Sequence, residues 1–249
     1  MTKVYLMKSK DQALNSLLQF FTDVGIPDKI VYDGAREFSS QAWRQELAKR
    51  HVAWHQTEPY HQHQNQAEPR VRDIKMLALE ILSTSGAPDN YWCYAIELAE
   101  DLLNFRAVES LNWRTPFECC KGETPDISPL YQFAFFEKVR YATANSNIQF
   151  PENKDNPGIY LGVSWNVGDL LTYKIQPDHP TNIKRHSCLS RSAVACDDGS
   201  QERLNKLQVM KSPSKEELPL DIFEKEDDDN FHDFFFHLTI HWLGTLMKI

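Results

Sequence analysis

VYDGAREF at Val31–Phe38, followed by PYHQHQNQAEPRVR at Pro59–Arg72, decides how this chain is read. In the first stretch an apolar run ends on Asp33. In the second a polar turn delivers Glu68 onto a helix. Two carboxylates separated by a short helix and a strand offer hard oxygen donors, suited to a divalent metal held over a phosphodiester. Upstream, Val4–Met7 reads as a strand. Ser9 reads as the cap of a helix with Ala13, Leu14, Leu17, Leu18, Phe21 and Val24 at helical spacing and Gly25 as its stop. Lys29–Asp33 is a second strand. Ser39 or Ser40 caps a helix that turns Trp43, Leu47 and Ala48 inward, and His51–Thr57 is a third strand. The order strand, helix, strand, helix, strand predicts an α/β sheet with helices packed on its faces.

Downstream, Glu58–Gln66 is polar, carries a proline and lacks periodicity, so it reads as an exposed loop. Ala67 opens a helix with Ile74, Leu77, Ala78 and Ile81 on one stripe, closing near Gly86. A further helix starts at Pro88 and Asp89 and runs to about Asn104, and the two are expected to pack as a hairpin. Residues 109–157 are irregular, punctuated by Pro116, Pro125, Pro129, Pro151 and Pro157. From Gly158 short strands and turns take over, as in a small all-β module. The acidic run at Glu224–Asp229 is expected to be solvated and disordered. FHDFFFHLTIHWLGTLMKI at 231–249 is apolar, and no role follows from its pattern. The expected divisions are 1–108, a connecting region at 109–157, the β module at 158–196 and a tail at 197–249.

Hydrophobic content of 41% and charged content of 25% over 249 residues are ordinary for a folded chain, which excludes wholesale disorder. The net charge of −8 argues against a general nucleic-acid binder, so its distribution matters. Residues 1–85 hold 11 Lys+Arg against 10 Asp+Glu, whereas 86–199 hold 10 against 15 and 200–249 hold 6 against 10. The stretch with the two carboxylates is thus near neutral and permits DNA binding. No apolar run approaches the roughly 20 residues needed to span a bilayer, so no membrane association is expected. Five cysteines, Cys93, Cys119, Cys120, Cys188 and Cys196, have no framework spacing. They imply reduced thiols in the nucleus or cytoplasm.

On the helix that begins at Ala67, Arg72 and Lys75 stand four and seven residues after Glu68 and share its face, while Arg70 is rotated away. A carboxylate beside two cations suits metal plus phosphate. The plainer reading is a surface ion pair between Glu68 and Arg72, worth about 0–1 kcal/mol. His51, His55, His61 and His63 invite a zinc site, but no Cys-x2-Cys accompanies them. Cys119-Cys120 is a pair of packed or surface thiols, since nothing marks a base beside it.

VYDGAREF followed by PYHQHQNQAE resembles the integrase core of copia-type retrotransposons, within the retroviral integrase superfamily with an RNase H-like fold. LLNFRAVESLNWRTPFECCKGETPDIS resembles the segment after that core, and GIYLGVSWNVGDLLTYKI the small β module that follows; together they cover roughly residues 3–195. The resemblance implies an RNase H-like mixed sheet with flanking helices, its N-terminal strand region missing, then the β module and a partly disordered tail. It implies that Asp33 and Glu68 are catalytic and bind Mg²⁺ or Mn²⁺, and that Asn65, Arg72 and Lys75 contact DNA. The partners would be element ends and target DNA, with possible homo-oligomers, and the reaction 3′-end processing and strand transfer. Two departures stand against it. The family's first aspartate is unmatched, since Asp11 lies at a helix start, and Pro69 stands where a basic residue is usual. The expectation is therefore a chain inactive by itself, the alternative being a non-catalytic nucleic-acid-binding or interaction module.

Overall fold

Short apolar runs make the strands of this protein and longer 3.6-periodic runs its helices. In chain order these are Lys3–Leu6 (β1), Ala13–Asp23 (α1), Lys29–Tyr32 (β2), Gln41–Lys49 (α2), Ala53–Gln56 (β3), Ala67–Ser85 (α3), Trp92–Asn104 (α4), Pro116–Lys121 (α5), Lys138–Ala142 (β4), Asp155–Val163 (β5), Tyr173–Pro177 (β6), Cys188–Ser190 (β7), Ala193–Ala195 (β8), Gln201–Lys211 (α6) and Phe235–Leu238 (β9). The structure, a computed structural model, describes residues 1–32, 35, 38, 40–57, 67–142, 155–165, 171–178, 188–190, 193–196, 200–211 and 235–238. The chain divides into two units, one of residues 1–75, 103–125 and 219–249, the other of 76–102 and 126–218.

The first unit follows the expected order from β1 to α3. Ala13, Leu17, Phe20 and Phe21 form the buried face of α1. They share a core with Tyr5, Ile30, Tyr32, Phe38, Trp43 and Leu47. Each fully buried side chain of this size contributes about 1.5–3 kcal/mol. Ser9 makes no side-chain cap, because a 3-10 turn at Lys10–Gln12 precedes α1. Gln12 Oε1 instead accepts from the Lys8 N–H at 2.9 Å. Ser40 does cap α2, accepting from the Trp43 N–H at 3.3 Å.

The fold is α/β, as expected, and among the described residues of this unit the strands pair two by two. β2 pairs with β3 in parallel, Lys29 opposite Ala53 and Tyr32 opposite Gln56. β1 pairs antiparallel with β9, Lys3 opposite Leu238 and Leu6 opposite Phe235. The apolar segment at 231–249 thus supplies a strand partner to β1, a pairing between chain ends that no local pattern encodes. Two more contacts fix the start of β1. Thr2 N–H donates to Asn104 Oδ1 at 2.8 Å, and Asn104 Nδ2 donates back to Thr2 O at 2.7 Å, both residues being buried.

The second unit is built on an antiparallel five-stranded sheet in the order β7-β6-β5-β4-β8. It takes in β4 and the start of β5, which the prolines of 109–157 obscure in the sequence. Val139 and Tyr141 of β4 are both buried, as two-residue alternation requires. Phe133, Tyr160 and Tyr173 fill the core with ring centroids 5.1–5.8 Å apart. α6 lies in the stretch read as a polar tail. It is anchored by Arg203, whose Nε meets Glu137 Oε1 at 2.6 Å and whose Nη2 donates to Gln132 O at 2.7 Å. From α4, Glu97 pairs with Lys174 at 2.9 Å and Asp101 accepts from Trp165 Nε1 at 2.8 Å. The acidic run at Glu224–Asp229 lies outside the described residues. Among those residues no helix is long and apolar enough to cross a membrane.

Candidate nucleic-acid and metal site

The site begins where the parallel pair β2–β3 ends. In a parallel pair both chains leave at the same end, and ligands of α/β sheets gather at the carboxyl ends of strands. Asp33 is the residue after β2, and the polar sequence from Glu58 follows β3 and Thr57. Thr57 N–H donates to Tyr32 O at 2.9 Å, fixing the two exits to each other. Beneath them Tyr32 sits in an aromatic nest, 5.7 Å from Phe38, 6.1 Å from Trp43 and 6.0 Å from Trp54 between ring centroids. Burial raises the pKa of the Tyr32 phenol above its ordinary value, and the Arg44 guanidinium opposes that shift.

α3 carries the second half of the site. Glu68 is its second residue and Pro69 its third, within the first turn, where proline is tolerated and an acidic residue meets the positive helix end. Arg72 is exposed and Lys75 half-buried. With 1.5 Å rise per residue they stand about 6 Å and about 10 Å along the axis from Glu68. Arg70 has a different task. Its Nε donates to Thr2 Oγ1 at 3.2 Å and its Nη2 to Leu103 O at 3.0 Å, with Asp73 3.8 Å away. Burial, above all, holds its pKa below the ordinary arginine value. Arg70 therefore braces α3, leaving the opposite stripe to Arg72 and Lys75.

Asp33, Asn65 and the side chain of Glu68 lie outside the described residues, so the structure fixes where their elements begin and end but not those groups themselves. The donor chemistry, two carboxylates, fits Mg²⁺ or Mn²⁺. Of the four histidines weighed for zinc, His61 and His63 also lie outside. Among the described residues no three His, Cys, Asp or Glu side chains come together as a ligand set. The sequence reading missed Arg44 and Trp54. Trp54 lies on a strand whose four residues are all exposed, and Arg44 stands 5.3 Å from its ring centroid. The signal available was a tryptophan on an edge strand with little apolar alternation.

No protein-family model matches the chain. Among curated proteins it is 27% identical over 142 residues to the Retrovirus-related Pol polyprotein from transposon RE2 of Arabidopsis thaliana, a match spanning 53% of this chain and 9% of that one. It is 28% identical over 197 residues to the corresponding polyprotein from transposon RE1 of the same plant, spanning 74% of this chain and 13% of that one. The chain thus spans a small part of the length of these relatives. Among solved structures, the HTLV-2 integrase catalytic core domain in complex with magnesium, in a trimeric form, superposes with a TM-score of 0.37 at 20% identity, over 46% of this chain and 71% of that one. A simian T-cell lymphotropic virus intasome in complex with PP2A regulatory subunit B56 gamma gives 0.40 at 14% identity, over 79% and 78%. Both are loose superpositions. The curated relatives of this chain are thus retrotransposon Pol polyproteins, of which it matches a part.

Proposed function

We propose that the chain binds DNA through the Glu68–Arg72–Lys75 stripe of α3, as a retrotransposon integrase-like domain whose ancestral reaction is 3′-end processing and strand transfer. One observation carries this reading. Arg70 is consumed by contacts to Thr2 and Leu103, whereas Arg72, on the Glu68 face, is exposed to solvent. Arg72 and Lys75 meet phosphate oxygens as charge-assisted donors. Asn65, in the polar sequence before Glu68, would help shape the rim of such a site. Asp33 and Glu68 are the residues that would hold Mg²⁺ or Mn²⁺, which when bound supplies Lewis-acid activation at a phosphodiester.

A fluorescently labelled duplex titrated with the protein tests this. Changing both Arg72 and Lys75 to Ala is expected to weaken binding about tenfold on any sequence, and to lower the log–log salt slope by about 2. Unchanged affinity in the double variant overturns the reading.

A second reading, a non-catalytic nucleic-acid-binding module, rests on the sequence, in which the first aspartate of the pattern it resembles is unmatched. Among the described residues of the first unit, no strand carries a carboxylate. Asp11 lies in the 3-10 turn and Asp23 accepts from the Tyr5 hydroxyl at 2.9 Å. The strands β1, β2, β3 and β9 read KVYL, KIVY, AWHQ and FFHL.

A further inference from the structure

Trp54 is 45% exposed on a strand with no buried residue, yet its ring is not free. One face lies over Tyr32, nearly parallel at 21° with centroids 6.0 Å apart. Tyr32 is itself buried against Phe38 and Trp43, whose rings stand 5.0 Å apart. The exposed Arg44 guanidinium lies 5.3 Å from the Trp54 centroid. Trp54 is thus the outermost ring of an aromatic nest, stacked on Tyr32 with the Arg44 guanidinium over its ring. It lies on the last strand before the polar sequence that precedes Glu68.

We propose that Trp54 is a stacking platform for one unpaired base of single-stranded DNA, with Arg44 at the adjoining phosphate. The proposal rests on the DNA reading above and adds a contact which that reading does not contain. A single exposed aromatic is ordinary on a protein surface and by itself means little. Three features select a nucleic-acid base here over an apolar protein partner. The next residue on the same face of β3 is the polar, exposed Gln56. The stretch from Lys29 to Thr57 holds five Lys+Arg against three Asp+Glu, in a chain that is −8 overall. An indole already stacked against the core loses little freedom when a base joins the stack, and an arginine beside it adds a cation–π contribution.

Fluorescence anisotropy with two labelled DNAs tests this, one a blunt duplex and the other the same duplex with a 3′ single-stranded overhang. Trp54→Ala is expected to weaken binding to the overhang DNA about tenfold while leaving the blunt duplex within twofold. Trp54→Phe retains most of the overhang affinity. Trp54→Leu covers Tyr32 but has no π face, and it behaves as Trp54→Ala does. The Arg72→Ala/Lys75→Ala variant weakens both DNAs together. Equal overhang affinity in wild type and Trp54→Ala overturns the proposal and leaves the DNA reading standing. So does an equal loss on both DNAs, or full rescue by Trp54→Leu, since these mark a purely structural ring. If wild-type protein binds neither DNA, the DNA reading fails and this inference fails with it.

Discussion

Gly158 shows how little freedom single positions have in the second unit. A Cβ placed there would meet Ile175 Cγ2 at 2.6 Å, Gln176 O at 2.8 Å and Tyr141 Cε1 at 2.9 Å. Gln176 O is backbone of the neighbouring strand and cannot swing away. Gly158→Ala is therefore expected to destabilise by about 1–3 kcal/mol, read as a lowered urea midpoint with unchanged slope. A midpoint equal to wild type would show that β5 and β6 can part there at no cost. At the same scale, Arg70 and Arg72 are two positions apart on one helix and have opposite fates. One is enclosed by Thr2 and Leu103, the other left in water. The helical wheel separates them by angle, but only the contacts decide which face is the structural one.

α5 is the clearest element-scale case of a signal present in the sequence and left unread. Thr115 accepts from the Glu118 N–H at 3.0 Å while Glu118 Oε2 accepts from the Thr115 N–H at 2.8 Å, with Pro116 at the first helical position. This is the capping box T-x-x-E, yet the prolines around it favour an irregular reading. Thr115→Ala is expected to cost about 1 kcal/mol. The Glu118 carboxylate is held below the ordinary glutamate range mainly by the Thr115 backbone donor, then by the Thr124 hydroxyl. Its contribution is thus complete above the unfolded value of about 4.3 and lost as pH falls through the lower folded value. Comparing Glu118→Gln with wild type should show the variant less stable at pH 7 and the gap closing below about pH 4. A gap independent of pH would mean that the carboxylate charge has no part in the cap.

At the scale of the whole molecule, the question is what the chain can do unaided. The sequence supplies Asp33 and Glu68 but leaves the first aspartate of the pattern it resembles unmatched, and a metal site short of a ligand binds and activates poorly. The 249-residue protein with Mn²⁺ is therefore expected to give no strand transfer beyond the level of Glu68→Gln. Strand transfer that disappears in Glu68→Gln would sink this expectation. Charge agrees with a limited role. The protein is −8 overall, with its deficit after residue 85, so any DNA contact must come from a local cationic stripe rather than a general field.

Sequence by itself determined the element order from β1 to α3, the inward face of α1, and the inward Trp43 and Leu47 of α2, whereas Ala48, expected inward with them, is exposed. These follow from periods of two and 3.6 residues, which are local properties of the chain. Tertiary structure alone decided that β1 pairs with Phe235–Leu238, that Lys138–Ala142 joins the later strands, and that Trp54 remains half in water against Tyr32. Strand partners and ring contacts arise between residues far apart in the chain. Their choice depends on which edges and faces remain uncovered once the local elements have formed.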